Sequence, residues 1–183
     1  MKHFCRIAAG LDTQPLLDEL AANETLWNAL TLRQSYPGSA HADTQSIILR
    51  GPPDARDVFN DLRLCDYAYR SMLPAANAVL KHCRALVDPL PLARVMLVRL
   101  KAGGQITPHA DQGLYARSTR RYHLALQSTP DCLFSAGDET IHISPGELWW
   151  FDHHATHSVQ NNGPPRVHLI FDLTLPQSVS AAA

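Results

Sequence analysis

Three side chains carry the chemistry available to this sequence: His109 and Asp111, in the run Gln105-Ile106-Thr107-Pro108-His109-Ala110-Asp111, and His157, 46 residues after Asp111. Side chains of an extended segment alternate between faces, so residues two apart point the same way. An imidazole and a carboxylate therefore converge from one short piece of backbone. The third group must be delivered by the fold. Two histidines and one carboxylate on one side of a metal, with the other positions open, form the ligand set of non-haem Fe(II) oxygenases.

His-x-Asp alone is a weak pattern. Thirteen Asp and ten His in 183 residues give roughly 0.7 occurrences by chance, and a second copy, His41-Ala42-Asp43, is present. Context separates the two. Helix-like sequence follows the first copy, and its next histidine, His82, falls on an expected helix; strand after strand follows the second, and then His157. A metal site needs a rigid scaffold for its third ligand, so the metal is assigned to His109, Asp111 and His157. Asp152, His153 and His154 precede His157 too closely to reach one ion together and are expected to shape that turn.

The elements that must position these groups fall into two halves. Phe4 to Ala9 reads as a strand, Asp12 as the cap of a helix running to Asn23, and Leu26 to Leu32 as a short helical turn or strand. Tyr36 to Ser39 is a turn, and Ser46 to Arg50 a strand stopped by Gly51-Pro52-Pro53. From Asp54 to Leu86 helix is expected to dominate, with Val58, Leu62 and Cys65 at helical spacing and the signal repeated from Met72 to Leu86. Beyond Pro89 and Pro91 the pattern changes to eight strands, at 94–100, 106–111, 120–128, 132–136, 140–144, 147–151, 157–161 and 166–175, separated by Gly- and Pro-containing turns. Short strands at this density, flanked by helices, predict a mainly β protein with flanking α-helices: a double-stranded β-helix, or jelly-roll/cupin-like barrel.

One domain is the default for 183 residues that are 45% hydrophobic and 18% charged. It would comprise a helix-rich N-terminal support at 1–90, a metal-binding core at 91–176 and a loose tail at 177–183. A net charge of -1 argues against nucleic-acid and membrane partners. The apolar run after Met1 is broken by Arg6 and too short for a signal peptide, so a cytoplasmic protein is expected. Cys5, Cys65, Cys83 and Cys132 show no C-x-x-C pairing and read as reduced, mostly buried thiols.

Four ordered runs are far more specific than the metal dipeptide: G-G-Q-I-T-P-H-A-D, R-R-Y-H-L-A-L, P-G-E-L-W-W-F-D-H-H-A-T-H-S-V-Q-N-N and R-V-H-L-I-F-D. Together they resemble the aspartyl/asparaginyl β-hydroxylase type of 2-oxoglutarate-dependent oxygenase, with much in common with bacterial amino-acid hydroxylases. The resemblance covers about residues 92 to 175, and residues 1 to 90 match loosely. It implies Fe(II), 2-oxoglutarate and O2, and hydroxylation of a C–H bond of an amino acid or amino-acid residue, with release of succinate and CO2. Arg166 matches the residue that binds the distal carboxylate of 2-oxoglutarate, where a guanidinium grips with two parallel hydrogen bonds. Arg121 and His123 share one strand face, with Leu124 and Leu126 on the other, and match the pair that approaches the metal-proximal carboxylate. Two positions depart from the pattern: Asp111 stands where the animal members have glycine, and Val98 where a serine helps hold the distal carboxylate.

A small-molecule or peptide substrate carrying an amino-acid group follows from the same resemblance. Candidates for touching it are Gln112, Tyr115 and Arg117 in the loop after Asp111, and His41, Asp43, Gln45 and Arg50 near the early strand. Trp149 and Trp150 must lie on opposite sheet faces, one in the core and the other free to line a cavity. Two rival readings are a cupin-like metalloenzyme that uses no keto acid, such as an isomerase or dioxygenase, and a catalytically silent binding module. The first leaves Arg166 without a purpose; the second predicts a missing ligand, and all three are present.

Overall fold

Strand patterning fixes the core. In β11 (Arg166–Thr174), Val167, Leu169, Phe171 and Leu173 alternate with Arg166, His168, Ile170 and Asp172, and the whole strand is buried up to Leu173. A strand buried on both faces belongs at a sheet centre. In the computed structural model, which describes residues 1–54, 56–57 and 59–176, β11 is the central strand of seven. That sheet runs in the order β1 (Phe4–Ala8), β9 (Leu148–Phe151), β6 (Thr119–Gln127), β11, β4 (Leu92–Leu100), β2 (Thr44–Gly51), β3 (Cys65–Asp66). A second sheet has the order β5 (Gln105–His109), β10 (His157–Asn161), β7 (Cys132–Ala136), β8 (Glu139–Ile141). Every pairing in both sheets is antiparallel.

The larger sheet buries a core on each face. On the outer face of the larger sheet, Leu16 and Leu20 of α1 (Gln14–Ala22) and Ala76, Leu80 and Cys83 of α4 (Pro74–Ala85) cover Leu97, Leu124, Leu169 and Phe171. Each buried leucine contributes about 1.5–3 kcal/mol relative to exposure. The inner core takes Phe4, Leu100, Ala125, Trp149 and Phe151 from one sheet and Ile106, Cys132, Phe134 and Val159 from the other. The sheets therefore face each other as in a jelly roll. Glu19 of α1 accepts hydrogen bonds from Ala75 N and Ala76 N (3.0 and 3.2 Å), capping α4 from its neighbour.

Several expectations need correction. Helix dominates only the second half of Asp54–Leu86: α3 (Tyr69–Met72) and α4 form, but Asp54, Asp57 and Asp61 bond backbone N–H groups of Arg56, Asn60 and Arg63 (2.9, 3.3 and 2.9 Å). These side-chain turns compete with helix. Leu62 is exposed and Cys65 joins β3, while Val58 and the tail at 177–183 lie outside the described residues. The helix capped by Asp12 starts at Gln14, after Thr13, and Leu26 to Leu32 resolves into a 3-10 turn at Glu24–Asn28 followed by α2 (Leu32–Ser35). Cys83 and Cys132 are buried but Cys5 and Cys65, on edge strands β1 and β3, are exposed. All four are free. The N-terminal half is more than support, because β1, β2 and β3 complete the larger sheet.

Candidate active site

Pairing of β10 with β5 sets His157 directly opposite His109, with ring centroids 4.3 Å apart. β5 ends at His109, so Asp111 lies just beyond the strand and not within it as the alternation argument assumed. Its backbone N–H donates to His153 O (3.0 Å), which holds the carboxylate near the rings. Ligand atoms of His109, Asp111 and His157 all lie within 4.8 Å of one another, and His109 Nε2 is 3.9 Å from Asp111 Oδ1.

Both imidazoles have their Nδ1 beside a backbone carbonyl, His109 with Thr107 O at 2.8 Å and His157 with Ala155 O at 3.0 Å. That assigns the proton to Nδ1 and leaves Nε2 with a lone pair, the arrangement of a metal-binding histidine. His109 Nε2 is buried with no hydrogen-bond partner. Burial pushes His157 down to about 4, so it is neutral at pH 7. Burial opposes ionisation of Asp111, yet the Arg121 guanidinium and neighbouring imidazoles outweigh it and hold the carboxyl well below the usual range. Two neutral imidazoles and a carboxylate suit a divalent cation with open positions, and the residues fit ferrous iron.

Arg121 on β6 is the hub behind Asp111. Its Nη1 contacts Asp111 Oδ2, while Nε and Nη2 grip Asp172 of β11 at 2.8 and 3.0 Å. Tyr115 completes the chain, its hydroxyl donating to Asp172 Oδ2 (2.8 Å) and accepting from Arg94 N (3.0 Å). Tyr115, in α5 (Gly113–Arg117), is thus a buried strut and not a substrate-facing loop residue. Gly113 seats that helix: its φ is +92°, and a Cβ there would come 2.6 Å from Phe59 O.

Deeper in the barrel lies a second cluster. Arg166 is 2% exposed, and its Nη2 donates to His168 Nδ1 at 2.8 Å. His123 Nδ1 is 3.3 Å from the same atom. Because arginine only donates, His168 Nδ1 must accept, which moves its proton to Nε2. His168 Nε2 and Arg166 Nε and Nη1 are then buried donors with no partner, and no carboxylate among the described residues pairs with Arg166. Burial, with Arg166 next, keeps both His123 and His168 neutral. Buried donors without acceptors are costly, and a carboxylate would satisfy them.

The remaining sequence candidates divide. Asp43 pairs with Lys101 (2.7 Å) and accepts from Gln105 N (3.0 Å), Gln45 accepts from Arg99 (2.9 Å), and Arg50 pairs with Asp66 (2.7 Å). Gln112 and Arg117 are exposed. His41 alone of the early group reaches the metal ligands, its ring 4.8 Å edge-on from that of His109. Buried His153 bonds Ala116 O (3.1 Å), as a turn-shaping residue should. Trp149 enters the inner core and Trp150 packs toward the helices. Sequence reasoning missed Asp172, His168 and Arg33; the polar period-two pattern of β11 carried the signal for the first two.

A jelly roll with two histidines and a carboxylate at one mouth defines an oxygenase-like class of barrel. The sequence profile of the aspartyl/asparaginyl beta-hydroxylase family matches residues 17–176, and the chain belongs to that family. It is 31% identical over 77 residues to the L-proline cis-4-hydroxylase of Rhizobium meliloti (strain 1021), a match covering 42% of this chain and 28% of that protein. The fold is shared with a prolyl-4-hydroxylase of Pseudomonas putida (TM-score 0.52, 15% identity, 95% of this chain and 94% of that one). It is also shared with a Trichoplax adhaerens prolyl hydroxylase in complex with a hypoxia inducible factor peptide fragment (TM-score 0.52, 12% identity, 94% and 83%). No helix among the described residues is long and apolar enough to cross a membrane.

Proposed function

We propose that this protein is an Fe(II)- and 2-oxoglutarate-dependent oxygenase that hydroxylates a C–H bond of an amino acid or amino-acid residue. The observation that carries the reading is the pairing of two unsatisfied features in one barrel. His109, Asp111 and His157 converge as a metal-ligand set, and the buried Arg166 has no carboxylate of the chain to match it. When bound, ferrous iron with 2-oxoglutarate and O2 supplies the oxidising power that turns C–H into C–OH, releasing succinate and CO2.

The chain's own contribution is placement and charge. His109 and His157 would offer Nε2 to the metal, their rings fixed through Nδ1. Asp111 would be the anionic ligand, kept ionised and oriented by Arg121, which Asp172 holds in turn. Arg166 and His168 would take the distal carboxylate of the keto acid, and His123, expected with Arg121 at the metal-proximal end, would stand beside His168 instead. Arg121 is already engaged by two carboxylates, so its part would be to position Asp111 and not to grip the metal-proximal carboxylate that the resemblance gave it. Phe134 and Phe151, with centroids 5.5 and 5.0 Å from His123 and 6.3 and 5.1 Å from His157, wall the site against water.

The relative's name, an L-proline hydroxylase, and the peptide bound to a fold neighbour support a small-molecule or peptide substrate with an amino-acid group. A keto-acid-independent metalloenzyme of the same fold would leave Arg166 without a function. The test is anaerobic addition of Fe(II) and 2-oxoglutarate, read by the metal-to-ligand charge-transfer band. Oxygenation with a panel of amino acids then follows, with succinate and hydroxylated product read by mass spectrometry. Absence of the band in folded protein would refute the cosubstrate; a band without product from any compound would refute the substrate class.

A further inference from the structure

With Arg166 assigned to the keto acid, a second guanidinium is left over. Arg33 enters from α2, outside the barrel strands. It is half-buried, and no carboxylate among the described residues pairs with it. Its hydrogen bonds are long and go to neutral groups: Nη1 to Thr44 Oγ1 (3.4 Å) and Ser46 Oγ (3.5 Å), and Nη2 toward His41 Nε2 (3.3 Å). Thr44 and Ser46, 3% and 1% exposed, stand across from Leu100 and Val98 of β4, beside the strand that carries Arg166 and His168.

Arg33 is held there by a braced strap. Ser39 Oγ donates to Arg33 O (2.6 Å) and accepts from His41 N (3.1 Å), and Thr107 N of β5 donates to Ala40 O (3.1 Å). The strap therefore docks on the strand that ends at His109, and His41 fills the space between Arg33 and that ring. Burial pushes Arg33 down to about 10, with Arg121 and Arg166 opposing its charge and Asp111 favouring it. Arg121 is compensated by Asp111 and Asp172, whereas Arg94, with Nε and Nη2 unpartnered, lies with its guanidinium carbon 3.3 Å over the Tyr115 ring. A divalent metal and a dianionic keto acid cancel each other's charge, and the keto acid's two carboxylates already have the metal and Arg166. Arg33 still lacks an anion.

We propose that Arg33, backed by Thr44 and Ser46, is the seat for a carboxylate carried by the substrate itself, which makes it a specificity-determining residue. The inference rests on the oxygenase reading above. Two sources share this chemistry, the α-carboxylate of a free amino acid and the side-chain carboxylate of an acidic residue in a peptide. A guanidinium forms paired bonds with the anionic oxygens of either, whereas a neutral amide offers it one carbonyl and no charge.

The probes are the common L-amino acids, their α-amides, and N-acetyl aspartyl and glutamyl amides. Each is tested for stimulation of succinate formation and, by calorimetry, for binding to protein loaded with Zn(II) and 2-oxoglutarate. Every stimulating compound should carry a carboxylate, and converting that group to an amide should abolish the effect. Activity of a free acid alone identifies the α-carboxylate; activity of a capped acidic residue identifies the side chain. Arg33→Met should raise KM for the acid on the order of 100-fold with little change in kcat and erase the acid-over-amide preference. Arg33→Lys should recover part of it.

The charge-transfer band and 2-oxoglutarate affinity of Arg33→Met should stay within about twofold of wild type, which also reports a folded metal site. A lost affinity for 2-oxoglutarate, an unchanged acid-to-amide ratio, or stimulation by no carboxylate-bearing compound would each overturn the proposal. Failure of the oxygenase reading looks different: wild-type protein then gives neither band nor succinate, while calorimetry still reports whether Arg33 binds carboxylates.

Discussion

Replacing Arg166 by methionine should move ligand-free stability and cosubstrate affinity in opposite directions, which an ordinary core substitution does not. The guanidinium is 2% exposed, its Nε and Nη1 have no partner, and burial pushes it down to about 10. Desolvating an unmatched ion costs several kcal/mol, whereas methionine fills irregular space without charge. Against that, the 2.8 Å hydrogen bond to His168 is lost, worth about 1.5–3 kcal/mol. Ligand-free Arg166→Met is therefore expected to be as stable as wild type or more so, by up to roughly 2 kcal/mol. Affinity should fall sharply. Two charge-assisted bonds at about 1.5–3 kcal/mol each amount to at least ~100-fold in Kd, since ~1.4 kcal/mol is tenfold. Urea unfolding of the metal-free protein reads the first quantity, and calorimetric titration of the Zn(II)-loaded protein with 2-oxoglutarate reads the second. An affinity within about threefold of wild type, or a ligand-free variant destabilised by more than about 3 kcal/mol, would mean that the chain itself balances Arg166, and the reasoning fails.

Other perturbations test the rest of the site. Asp111→Ala should abolish turnover and metal-dependent 2-oxoglutarate binding; unchanged activity would point away from this triad. Tyr115→Phe removes the hydroxyl between Asp172 and Arg94 N and should cost about 1–3 kcal/mol in chemical denaturation; no loss would argue against the strut. Acid should destabilise the metal-free protein through His157. Its value is lowered from 6.5 to about 4, so between those two pH values the unfolded chain binds more protons than the folded one. Stability is then fully present above 6.5 and lost as pH falls toward 4, by up to ~3 kcal/mol. His157→Gln should flatten that part of the profile, and an unaltered slope would assign it to other groups. Gly146→Ala should unfold more readily, because φ there is +79° and a Cβ would lie 2.7 Å from Leu11 O; the expected loss is at least ~1 kcal/mol by thermal denaturation.

Whatever depends on local periodicity was legible before any coordinates. Strands at 132–136 and 157–161 were read to the residue, because alternation over a few positions and the turns between them are written in adjacent residues. The pairing of His109 with Asp111 was legible from their nearness in the chain, although a bond from Asp111 N to His153 O and not strand alternation holds the carboxylate in place, and the polar positions of β11 could be read from its period of two. Helix expected after Asp54 failed for a local reason too, since carboxylates at 54, 57 and 61 bond the backbone two or three residues on, a competition that apolar spacing does not register. Which charges meet depends instead on how the strands pair in space. Arg121 finds Asp172 because β6 and β11 are neighbours, and His41 comes between Arg33 and His109 because a strap docks on β5. Coulomb and hydrogen-bond energies depend on distance in space, and no pattern within a strand announces a partner more than fifty residues away.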